Sequence, residues 1–109
     1  MKLTPEISRE ISNKYACKAN KLEDEIYDEY KKGNMPRLEY ISKTRQSHAE
    51  VGKERLAEYK KYDGEEAERA IDAMIAYIER EESIAKRTLE ELEQKKKNGE
   101  KIDYFIYFI

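Results

Sequence analysis

His48, Cys17 and a few closely spaced carboxylates are the side chains with the chemistry to do more than pack. His48 is the single histidine among 109 residues and Cys17 the single cysteine. One chain therefore cannot assemble paired imidazoles, a cysteine metal cluster or an internal disulfide. His48 reads as structural, and the Cys17 thiol as a small apolar group flanking the core of its helix. Carboxylates three residues apart share a helix face and can hold Mg2+ through oxygen ligands. Glu25-x-x-Asp28, with Glu29 beside it, and Glu65-x-x-Glu68 have that spacing. The basic pairs Lys31-Lys32, Lys60-Lys61 and Lys86-Arg87 and the run Lys95-Lys96-Lys97 suit phosphates, yet acidic residues surround most of them. With a formal net charge of −2, the chain is not expected to bind nucleic acid directly or to coat an anionic membrane. It has no phosphate-cradling glycine loop, nucleophile elbow or Cys/His metal spacing. The expectation is no catalytic residue, no metal and no cofactor.

Helices must position these groups. Charged residues make up 42% of the chain while glycine and proline together number six, the composition of long solvated helices. Thr4-Pro5-Glu6 is a strong helix start and Lys31-Lys32-Gly33 a strong stop, which predicts helix one over 5–32. Pro36 restarts the chain in the first turn of helix two, expected over 36–62. The core face of helix two carries Arg45, His48, Ala49, Gly52 and Arg55 in its middle, so bending, a break or fraying is expected between Ser42 and Gly52. Asp63 and Glu66 have the form of a capping box opening helix three, expected over 64–98. Apolar residues recur there at helical spacing through Ala67, Ala70, Ile71, Met74, Tyr77, Ile78, Ile84 and Leu92. Residues 102–109 form an aromatic tail suited to an extended conformation. The predicted fold is all-α, a single domain built as an antiparallel up-down-up three-helix bundle or as coiled-coil-like helical hairpins.

Folding helix two back on helix three places Arg45 beside Glu81 and Glu82, and folding helix one on helix two brings Lys18 near Glu50. Three apolar faces are then interrupted at one height by Lys18, by Arg45 and His48, and by Glu81. Three readings of this polar layer are open. The favoured one is that the charges snorkel outward past a thin core; the others are a partly buried ion-pair layer that fixes register at some cost in stability and a functional cleft.

Glu25-x-x-Asp28 resembles one piece of the metal site of the all-α nucleotide pyrophosphohydrolases. That family pairs a Glu-Glu-x-x-Glu motif with a later Glu-x-x-Asp, and the first half has no counterpart here. The resemblance implies, as an alternative function, Mg2+-dependent nucleotide hydrolysis on four helices supplied by two chains.

The favoured expectation is a non-enzymatic protein–protein interaction module. Nine tyrosines and no tryptophan supply contact area, and Tyr27, Tyr40, Tyr104, Phe105, Tyr107 and Phe108 are the candidate contact residues. Ile84, Leu89 and Leu92 join them, because the far half of helix three has more apolar surface than the other helices offer to cover. Such a module acts as a regulator or inhibitor that occludes a protein partner, as a homodimer or through its tail. Its small size and its lysine, isoleucine and tyrosine content suit a phage- or mobile-element-encoded inhibitor of a host defence nuclease. A structural self-associating scaffold is a further alternative. The absence of a secretory signal or a span of about 20 apolar residues predicts a cytoplasmic protein without membrane contact.

Overall fold

Thr4 opens the first helix with its hydroxyl, which accepts the Ile7 N–H at 3.2 Å, and Pro5 follows where a missing N–H leaves no bond unmade. The computed structural model describes residues 1–105. It holds three helices, α1 (Pro5–Lys31), α2 (Arg37–Tyr59) and α3 (Glu65–Lys97). They form an all-α three-helix bundle running up, down and up, with α2 packed on both neighbours. Tyr107 and Phe108 lie outside the described residues.

The junctions differ from expectation in ways the backbone explains. Asp63 does not cap α3; Gly64 takes the N-cap position at φ +95°, without a side-chain cap. Asp63 is engaged elsewhere, its N–H donating to the Met1 carbonyl at 2.9 Å where Lys2 and Asp63 form a parallel bridge. Pro36 likewise precedes α2 rather than entering it. Its backbone is extended and bridges Tyr104, while the Arg37 N–H donates to the Asp103 carbonyl at 2.7 Å. The tail from Ile102 to Phe105 thus docks on its own chain, at the turn between α1 and α2. At the other end α2 closes at Tyr59 and not at Tyr62. There Lys61 and Tyr62 donate to carbonyls three residues back, which tightens the chain out of the helix.

The expected weak point of α2 is an unbroken helix. Ser42, Ala49 and Gly52 are buried, and their small size lets α2 and α3 approach closely in the broadest packing of the molecule. A Cβ at Gly52 would stand 2.9 Å from Ile78 Cγ1. Ser42 satisfies its hydroxyl by donating to the Ala85 carbonyl at 2.9 Å and accepting from Gln46 at 3.0 Å. Close backbone approach here supplies the dispersion contact that long side chains supply elsewhere. Leu3, Ile11, Tyr15, Val51, Tyr59, Met74 and Ile78 surround this seam as the main core.

α1 and α3 contribute to one core with α2. The Cα traces of α1 and α3 stay more than 8 Å apart along their whole length, although each packs on α2. The molecule is accordingly a thin slab, 55 × 30 × 16 Å in its Cα extents.

Candidate docking groove

The gap between α1 and α3 is a groove of about 520 Å³. Each flanking helix presents a pair of small residues one turn apart, Ala16 and Ala19 from α1 and Ala73 and Ala76 from α3. Val51 and Gly52 of α2 form the floor with Met74, and Tyr15 and Tyr77 stand as walls. Of these rim alanines Ala16, Ala73 and Ala76 are exposed and Ala19 half-buried. A concavity of this volume, mostly apolar with a few polar groups, matches a binding site.

Besides the two tyrosines, the polar groups are Asn20, Glu23, His48, Arg55 and Arg80. Arg55 is fixed by neutral partners, Nε donating to the Tyr59 hydroxyl at 2.9 Å and Nη2 to the Ser12 hydroxyl at 2.6 Å. Arg80 lies over the Tyr77 ring at 5.5 Å. Among the described residues neither guanidinium has a carboxylate within 4.0 Å, although the chain as a whole is acidic. Burial pushes the Tyr77 phenol above its ordinary pKa, and the nearby Glu81 carboxylate adds to the shift.

Behind this wall lies the polar layer. Glu81 is 2% exposed, and both its carboxylate oxygens accept from Arg45 Nη1 at 3.0 Å. His48 Nε2 meets Glu23, and His48 Nδ1 stands 3.7 Å from Glu81 with no hydrogen-bond partner. Arg45, His48 and Glu81 therefore come together as the sequence suggests, joined by Glu23, and the ion-pair reading fits better than outward snorkelling. Lys18 does not belong to the layer. Its Nζ reaches Glu54 at 2.6 Å, one turn beyond Glu50, in a half-exposed pair. The pairs Lys18–Glu54 and Glu23–His48 set α1 against α2 about one turn away from the register of a symmetric fold-back about Gly33 and Asn34. Cys17, expected beside the core, is exposed.

The contact residues expected from sequence divide three ways. Leu92 is 2% exposed and belongs to the chain's own interior, so it is removed from the contact surface. Tyr27, Tyr40 and Phe105 join Tyr30 in an aromatic cluster at the tail. Tyr30 stacks on Tyr40 at 4.4 Å, and Phe105 meets Tyr30 and Tyr27 edge-on at 5.4 and 6.3 Å. Burial, then the Glu23 carboxylate, raises the pKa of Tyr40. Ile84 is half-buried, while Leu89 and Tyr104 remain exposed.

Within one chain the carboxylates of the pyrophosphohydrolase resemblance lie apart. Glu25 and Asp28 sit exposed toward the end of α1, and Glu65 and Glu68 exposed at the start of α3, at opposite ends of the bundle. Among the described residues no three His, Cys, Asp or Glu side chains are grouped to hold a metal. None of the described helices is long and apolar enough to cross a membrane.

The groove itself was not foreseen. Ala16-x-x-Ala19 and Ala73-x-x-Ala76 were its signal: small pairs at helical spacing on the two helices that flank α2. Comparison of the chain with family models, curated proteins and solved structures yields no match.

Proposed function

We propose that this protein is a non-enzymatic interaction module that takes a segment of a partner protein into the groove between α1 and α3. The observation that supports this most is the unfilled space between two helices that both pack on α2. The alanine rims Ala16, Ala73 and Ala76 are exposed and gain by being covered, while Val51 and Met74 beneath them are already buried. A module of this kind regulates by occupancy, holding a surface of its partner away from other ligands.

The experiment is affinity capture from the native host with the full chain and with Ala73→Trp, followed by sizing of the complexes. A protein retained by the native chain and lost from Ala73→Trp supports the reading. A partner retained equally by both places the contact elsewhere, and a 1:1 self-complex that survives Ala73→Trp points to a scaffold.

A further inference from the structure

We propose that His48 is a proton-operated clasp: with a proton on each ring nitrogen it ties Glu23 of α1 to Glu81 of α3 through α2, and loss of the Nδ1 proton loosens α1. The clasp belongs to the chain's own architecture and stands apart from what the groove receives.

The partners of the ring fix its chemistry. Nε2 meets a carboxylate oxygen of Glu23, and an ionised carboxylate only accepts, so Nε2 carries a proton. A neutral imidazole has one N–H, which leaves Nδ1 a bare lone pair. That nitrogen is enclosed, has no hydrogen-bond partner and stands 3.7 Å from Glu81 Oε2. In the neutral ring two acceptors therefore face each other out of reach of water, which costs free energy. A second proton reverses the sign of the contact, because Nδ1–H offers a charged donor to the same carboxylate.

The surrounding charges favour that proton. Glu23 approaches from α1 and Glu81 from α3. Among the described residues Arg45 of α2 is the one lysine or arginine within 4.0 Å of either acid, and it is committed to Glu81. Arg55 of α2 and Arg80 of α3 line the same groove as His48, but the first is held by the Tyr59 and Ser12 hydroxyls and the second lies over the Tyr77 ring. The nearby phenols, Tyr40 and Tyr77, stay uncharged through neutral pH. Around a neutral His48, two carboxylates share one arginine, and Glu81 is almost wholly buried. Around an imidazolium the charges balance, which matters most where water is excluded.

The element that responds is α1. It packs on α2 less extensively than α3 does. Its other ionic links to α2, Lys14–Glu58 and Lys18–Glu54, reach across through lysines that lie largely in solvent, so Glu23–His48 is the most shielded of the three. The unfolded chain offers no Glu81 to the second proton, and the native state therefore binds that proton more readily. Stability is then greatest on the acid side of the histidine range and falls as pH rises through it.

The chain has one histidine, so nitrogen-15 labelling gives its two ring signals without overlap. At about pH 6 both should report N–H, and with rising pH Nδ1 alone should lose its proton. A proton leaving Nε2 first, or a ring already neutral at about pH 6, overturns the proposal. In urea, the folding constant of the native chain should fall at least about threefold between about pH 5.5 and about pH 8.5, one proton setting a ceiling of about tenfold per pH unit. His48→Gln keeps a donor for Glu23 and cannot titrate, so its profile should be flat. A flat native profile overturns the clasp, and so does an equal fall in His48→Gln, which would belong to the α-amino group. Corrected for intrinsic rates, hydrogen exchange of amides 19–26 in α1 should quicken over the same range by more than that of amides 72–79 in α3. Equal quickening overturns the release of α1.

Discussion

Arg45 and Glu81 meet between α2 and α3 with one guanidinium nitrogen 3.0 Å from each carboxylate oxygen. The acid is enclosed, its side chain 3% exposed, while the base reaches in from the edge with 39% of its side chain in solvent. The pair sets the register of the two helices that pack most closely. It also holds in place the wall behind which the groove opens, since Glu81 neighbours His48 and Tyr77.

Removing the base leaves a buried carboxylate facing only the unbonded His48 nitrogen. Loss of one partner of a buried pair costs about 3–5 kcal/mol, and the exposure of Arg45 reduces this to about 2 kcal/mol. Arg45→Ala should lower stability to urea by that amount, and the Arg45→Ala and Glu81→Ala cycle should show coupling above about 1 kcal/mol. Coupling near zero would mean the charges merely snorkel.

Gly52 gives a prediction opposite to helix propensity. Replacing a mid-helix glycine by alanine ordinarily gains about 1 kcal/mol. Here the new methyl would stand 2.9 Å from the Ile78 side chain, within the seam, and overpacking costs about 1–3 kcal/mol. Gly52→Ala should therefore be net destabilising, by about 1 kcal/mol in urea melts. Combining it with Ile78→Ala, which removes the obstruction, should cost less than the sum of the two single changes. A stabilised Gly52→Ala would show that the helices do not approach as described.

Much of the bundle was legible because capping residues and apolar spacing act locally. Thr4 and Pro5 start α1 as read, and Arg45 pairs with Glu81, the neighbour of the Glu82 that the antiparallel fold-back places opposite it. What failed depended on residues distant in sequence. Asp63 looks like a helix cap until Met1 takes its N–H, and Pro36 looks like a first-turn residue until Tyr104 pairs with its backbone. The thin middle of α2 looked weak because apolar side-chain area was the measure, whereas Ser42, Ala49 and Gly52 stabilise by allowing approach. The groove was illegible for a related reason: Ala16, Ala19, Ala73 and Ala76 carry no signal of a shared face until α1 and α3 are placed side by side.

Alkaline titration probes the two shielded phenols. Tyr77 and Tyr40 have folded pKa values raised above the ordinary 10.0, chiefly by burial. Between the unfolded and folded values the native state holds more protons than the unfolded one, so stability falls as pH rises through that window. Beyond the range in which His48 titrates, urea stability should thus be flat up to about pH 10 and decline above it. The decline should be shallower in Tyr77→Phe and Tyr40→Phe, and an unchanged slope would show the phenols to be solvated.

The aromatic tail is expected to act in cis. Phe105→Ala removes edge-on contacts with Tyr30 and Tyr27 and should cost about 1–2 kcal/mol. The native mass should be unchanged by sedimentation. A change in oligomeric mass with no loss of stability would assign the tail to an interface between chains.

The central claim is that the space between α1 and α3 is open and receives a partner, and Ala73→Trp tests it most directly. Ala73 is exposed at the groove's rim, so an indole there should be accommodated. The melting temperature should stay within about 4 °C of the native chain, less than 1 kcal/mol on this size of domain, while the protein captured by the native chain is lost from the variant. A drop of 10 °C or more would mean the space is already filled, and capture of native strength would mean the partner docks elsewhere.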